Sequence, residues 1–149
     1  MIDMTKSSLL DRQLAHGVLR LTVGINTLIH GVGRLFGAGG AAGFAAKTSG
    51  LFVGTPLPQS LVYAFLIVLP FAEAILGVLI TLGLLTRWAL TLAGLLIAVF
   101  VFGTSLRSDW TTVGLQMIYA ICYYLLLRNL AENYFSVDTL LTRDRRHSA

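Results

Sequence analysis

The feature that most restricts what this chain can become is an apolar run from Ser60 to Leu85 interrupted by one acid, Glu73. Such a run matches the hydrocarbon layer of a bilayer, about 30 Å thick and crossed by about 20 helical residues. An ionised side chain at that depth costs from about 2.5 to over 10 kcal/mol unless it faces protein or trapped water and has a partner. The rest of the chain therefore has to supply that partner.

Three further stretches have a similar length and apolarity, and the expected spans are residues 13–36, 60–85, 88–106 and 111–127. Composition agrees: 12% of residues are charged and 56% hydrophobic, whereas about a quarter are charged in a soluble domain. Backbone amides in lipid must bond within their own segment, and no stretch has the two-residue alternation of a β-barrel. The expected fold is all-α, an integral membrane four-helix bundle forming a single domain over residues 1–149.

A net charge of +4 would suit nucleic acid, but the basic residues stand at the ends of the apolar spans rather than in a patch. The expected partner is the lipid bilayer, not nucleic acid. The single cysteine, Cys122, excludes an intrachain disulfide and a Cys-x-x-Cys pair. No metal site and no tightly bound cofactor are expected, so redox chemistry would need a borrowed group. Residues 1–12 mix acids with bases and lack a small-residue cleavage site, and they read as a retained tail rather than a signal peptide.

Span one is the most polar, with His16, Arg20, Asn26, His30 and Arg34; at helical spacing most of them share one face, beside a strip formed by Gly17, Gly24 and Gly31. Counting basic residues, the ends that share the N-terminus hold Lys6, Arg12, Arg87, Arg128, Arg143, Arg145 and Arg146, against Arg34, Lys47 and Arg107 opposite. That imbalance puts both termini in the cytoplasm. Arg20 then lies about 10 Å inside the cytoplasmic edge and Glu73 about 16 Å inside it, which makes Arg20 the expected ion-pair partner of Glu73. Span four has a second polar face in Gln116, Tyr119 and Tyr123.

Residues 37–59 form a Gly-rich connection without the Gly-Lys-Ser/Thr of a phosphate loop. It reads as an interfacial or re-entrant segment, with Phe44, Leu51 and Phe52 turned toward lipid and Pro56 and Pro58 ending it. The chain from Arg128 onward reads as a polar cytoplasmic tail whose Arg143, Arg145 and Arg146 meet anionic headgroups, with His147 solvated.

Several motifs recur together: Arg20-Leu21-x-x-Gly24 with His30-Gly31-x-x-Arg34, Gly43-Phe44-Ala45-Ala46, Pro70-x-x-Glu73-x-x-x-Gly77, and Leu82-Gly83-Leu84-Leu85-Thr86-Arg87. Phe135-Ser136-Val137-Asp138-Thr139-Leu140-Leu141 follows near the end. In this order the chain resembles the DoxX family of small four-helix bacterial membrane proteins, which includes the DoxD small subunit of thiosulfate:quinone oxidoreductase. The resemblance implies a multi-pass protein of the bacterial cytoplasmic (inner) membrane associated with quinone-linked electron transfer or with docking of redox partners.

The expectation is an accessory subunit of a larger redox or energy-converting membrane complex, not a self-sufficient enzyme, with quinone and other membrane subunits as partners. One alternative is the quinone-reactive subunit of a small thiosulfate:quinone-type oxidoreductase. A small proton-coupled transporter comes last, because the chain is short and has no internal repeat.

Under the quinone reading, Arg20, His30 and Glu73 surround the headgroup, Tyr119 or Tyr123 stacks on it, and Gln116 adds an amide. Each also has a structural reading: a register-fixing Arg20–Glu73 pair, an interhelical hydrogen bond from His30, and aromatic packing. His16 and His30 cannot clasp one haem from a single chain, because they lie about 21 Å apart along the helix.

Overall fold

A computed structural model describes the backbone of residues 4–147 and the side chains of residues 7–142. The side chains of Lys6, Arg143, Arg145, Arg146 and His147, used above for topology and headgroup contact, lie outside the described residues. Six helices follow in order: α1 (Met4–Phe36), α2 (Gly40–Ser49), α3 (Gln59–Leu82), α4 (Thr86–Leu106), α5 (Trp110–Arg128) and α6 (Val137–His147). Short 3₁₀ turns sit at Gly50–Phe52 and Leu130–Glu132, and no strand occurs among the described residues.

Among the described residues three helices, α3, α4 and α5, are long and apolar enough to cross a membrane. The polar residues of α1 keep it out of that group, although it is the longest helix. It begins at Met4, well before the expected start near residue 13, because no glycine or proline precedes Gly17 to break it. Its outward face carries Leu14, Val18, Leu21, Ile25 and Ile29, all exposed and at helical spacing. Its inward face buries His16, Arg20 and Val23.

α1 and α3 are antiparallel and in backbone contact. A Cβ added to Gly24 would lie 2.6 Å from Thr81 Oγ1, one on Gly31 would strike Ala74 and the Pro70 carbonyl, and one on Gly77 would strike Leu28. Glycines at these positions let the two backbones approach as close as they do. One core cluster joins Val23, Leu76, Ile80, Leu90, Tyr123 and Leu126 across α1, α3, α4 and α5. A second packs Ala45 of α2 against Val62, Leu66 and Leu69 of α3, with Phe44 and Phe52 beside it.

The Gly-rich connection is thus a helix and a 3₁₀ turn laid on the first half of α3, where α1 no longer reaches. Phe44 and Phe52 pack inward against protein; Leu51 stays exposed.

The α3–α4 turn comes earlier than expected. α3 ends at Leu82 rather than Leu85, because Gly83 takes the left-handed conformation (φ 69°) that closes the helix. Leu85 also has positive φ, and its own side chain does not cap α4. The cap comes from the far end of the chain: the Asp138 carboxylate accepts from the amides of Leu85 and Thr86, both at 2.8 Å, and from the Thr86 hydroxyl at 2.7 Å. Asn133 donates to the same hydroxyl, and the Asp138 amide donates to the Gly83 carbonyl. The segment expected as a polar tail therefore folds back and fastens the turn. Asp109 caps α5 locally, through the amide and hydroxyl of Thr112.

Candidate functional site

Arg34 stands in the last turn of α1 and Glu73 in the middle of α3. They come together because Gly31 lies directly against the backbone of Pro70 and Ala74, which brings the end of α1 alongside that part of α3. The Arg34 guanidinium donates to Glu73 Oε2 and lies over the Phe44 ring, 4.6 Å from its centroid.

The pair expected between Arg20 and Glu73 does not form. Arg20, 2% exposed, donates to the carbonyls of Ile80 (2.6 Å) and Thr81 (2.8 Å) and, through its other terminal nitrogen, to that of Phe135 (2.6 Å). The carbonyls in the last turn of α3 lack the i+4 amide donors of the helix interior and carry the negative end of the helix dipole. The two terminal nitrogens of the buried guanidinium thus find carbonyl acceptors while its Nε has none, and a carboxylate within its electrostatic reach is Asp138 rather than Glu73. Seven residues separate Ile80 from Glu73, about 10 Å along the helix, so Arg20 and Glu73 lie at different levels of the α1–α3 seam.

The other candidate residues divide between two places. His30 is exposed; its Nδ1 donates to the Asn26 carbonyl at 2.8 Å, and it lies within electrostatic reach of Glu73. Tyr123 is buried, with its hydroxyl 3.0 Å from Thr27 Oγ1, and also lies within electrostatic reach of Glu73 and of Tyr119. Tyr119 itself packs on the first core cluster.

Gln116 is elsewhere, on the wall of a half-open cavity of about 430 Å³ bordered by the end of α1, α2, the first half of α3, the second half of α4 and the start of α5. Its Nε2 donates to Thr104 Oγ1 at 2.9 Å, and its Oε1 is buried with no protein partner. The walls are mainly apolar, with Leu66, Leu69, Phe65 and Phe100 prominent, and the cavity's cations are Arg34 and Arg107. Arg107 lies over Phe52, 5.1 Å from the ring centroid. Both arginines are thus covered by aromatic rings of the α2 segment. Arg34 belongs to the cavity and to the Glu73 pair at once.

Sequence reasoning missed Arg34, Arg107 and Thr104 as parts of one site. Arg34 was visible in His30-Gly31-x-x-Arg34, but the close approach that makes it the partner of Glu73 depends on how α1 and α3 are offset. Among the described residues, no three His, Cys, Asp or Glu side chains gather as a metal site.

A family model described as TQO small subunit DoxD matches residues 44–148. The match begins in α2 and takes in Glu73, Gln116, Tyr119, Tyr123 and Asp138; α1, with Arg20, His30 and Arg34, precedes it. No curated protein and no solved structure matches the chain.

Proposed function

Because the chain belongs to the DoxD family, we propose that it is a membrane subunit of a thiosulfate:quinone oxidoreductase-type complex that contributes one wall of a quinone site without being an enzyme by itself. The observation that carries this reading is the mainly apolar cavity of about 430 Å³ that has Arg34 and Gln116 on its lining.

The residues present fit a flat ring with oxygen at its edge. Arg34 keeps guanidinium N–H groups beyond the one given to Glu73 and donates to a carbonyl oxygen; the unpartnered Gln116 Oε1 accepts from a hydroxyl. The cavity's apolar walls exclude water and seat the ring, and the exposed apolar surface outside them leads a prenyl tail into lipid. Glu73 holds Arg34 in place from behind. The quinone, when bound, supplies the electron-accepting ring; the chain supplies position and hydrogen bonds.

In this reading α1 is a fourth span, and the protein is one four-helix membrane unit with both termini in the cytoplasm of a bacterial cell. The outward apolar face of α1 supports it, as does the burial of the polar residues His16 and Arg20 against neighbouring helices and the chain's end. The basic-residue count supports this orientation.

The test is photolabelling of the native assembly, purified in mild detergent, with an azidoquinone. Label on Phe44, Leu66 or Phe100 together with co-migrating subunits is the expected result. Label scattered over outward leucines, or a solitary chain that reduces quinone unaided, would overturn it.

A further inference from the structure

At the end of the bundle where α1 begins, α1 and α5 border a second cavity, of about 350 Å³, lined by Arg12, His16, Leu19, Leu126, Asn129 and Glu132. His16 is 5% exposed. Its Nε2 lies 3.2 Å from the Leu126 carbonyl, and since a carbonyl only accepts, Nε2 carries the proton. Nδ1 is then a lone-pair acceptor, buried and without a partner. Such an atom calls for a donor.

Glu132 lies within electrostatic reach of the imidazole. Arg12 precedes His16 by four residues, on the same face of α1. Among the described residues, neither Arg12 nor Glu132 is in an ion pair. One cavity is therefore lined by an unused cation, an unused carboxylate and a histidine with a spare lone pair. That is the complement of a zwitterion: an ammonium for Glu132 and His16 Nδ1, and a phosphate for the Arg12 guanidinium. The leucine walls, of which Leu125 is itself exposed, suit a molecule that carries on into hydrocarbon.

We propose that this cavity binds the headgroup of a phospholipid bearing a primary ammonium. A choline headgroup has no N–H to give His16. A serine headgroup adds a carboxylate beside Glu132. The ethanolamine headgroup satisfies all three protein groups.

The test is native mass spectrometry of the delipidated full chain offered equal amounts of phosphatidylethanolamine and phosphatidylcholine with identical acyl chains. The expected preference for ethanolamine is about tenfold, the order of one charge-assisted hydrogen bond. Glu132→Gln, a change in a partly exposed turn, removes the preference while lipid binding persists, and Arg12→Gln weakens both lipids alike. Equal retention by the native chain, a preference that survives Glu132→Gln, or displacement by equimolar glycerophosphoethanolamine would each overturn the assignment to a lipid.

Discussion

Arg34 and Glu73 form an ion pair that ties the last turn of α1 to the middle of α3, and its two members are unequally hidden: the Glu73 side chain is 5% exposed and that of Arg34 26%. Stranding one member of a buried pair costs about 3–5 kcal/mol, and the more deeply buried charge sets the upper end. Arg34→Gln leaves the carboxylate inside without a cation. Glu73→Gln leaves a guanidinium that keeps Phe44 and the cavity. Arg34→Gln is therefore expected to lower membrane yield and thermal midpoint in detergent more than Glu73→Gln, with the double variant recovering part of the loss. Equal losses in the two single variants would refute the asymmetry.

The glycines of the α1–α3 seam should separate cleanly from those outside it. A methyl at Gly77 or Gly31 meets the facing backbone, and Gly77→Ala is expected to destabilise by about 1–3 kcal/mol as the helices are forced apart. A Cβ at Gly33, on the same helix as Gly31, meets nothing within 4 Å. Gly33→Ala should gain up to about 1 kcal/mol from helix propensity. Thermal melts of the two variants in one detergent check the order.

Acid should loosen the end of the bundle that Asp138 fastens. Burial by itself raises the affinity of its carboxyl for a proton, but the amide and hydroxyl of Thr86, the amide of Leu85 and nearby Arg20 outweigh it and hold the group below its ordinary value of 3.8. A carboxyl depressed in the folded state contributes stability that is fully present above the unfolded value and is lost as pH falls through the folded one. Native stability should thus decline below about pH 4, and Asp138→Asn should flatten that decline while lowering stability at neutral pH. Asp109, held low first by the Thr112 hydroxyl and then by its amide, acts in the same direction. Unfolding followed against pH for both proteins gives the comparison.

Filling the larger cavity should separate ligand binding from folding. Gly103 lines it, and a Cβ there would make ordinary contact with Phe52, 3.4 Å from Cε1. Gly103→Ile sends a branched side chain into the space and replaces glycine within a helix by a better helix former. Azidoquinone labelling is expected to fall to background with the melting temperature unchanged or raised. Full labelling of this variant would place the ligand elsewhere.

The three most apolar helices were legible in the sequence, because length and hydropathy suffice: α3, α4 and α5 start and stop within three residues of the expected bounds. The Gly24 and Gly31 strip was legible too, from helical spacing alone. The identity of the Glu73 partner was not. The depth argument for Arg20 assumes that α1 and α3 end at the same levels, whereas the facing pairs Gly24–Thr81, Leu28–Gly77 and Gly31–Ala74 fix one antiparallel register. In that register Glu73 falls beside the last turn of α1, and Arg20 beside the end of α3. The cavity was illegible for a related reason: it exists because α2 covers the part of α3 that α1 leaves bare, and α2 has little periodic pattern to announce which face packs.

The cap that Asp138 places on α4 gives the chain a direction in time. A polypeptide leaving the ribosome N-terminus first presents α3, the turn and α4 to the membrane while residue 138 is still to be translated. Until then the amides of Leu85 and Thr86 lack their carboxylate, and Arg20 lacks the Phe135 carbonyl. The residues that lock the first helix to the central turn are thus made after every apolar helix. A message truncated after Arg128 would yield helices inserted in the bilayer but without this latch, so that the segment following α5 works as a built-in signal that all the apolar helices have been made.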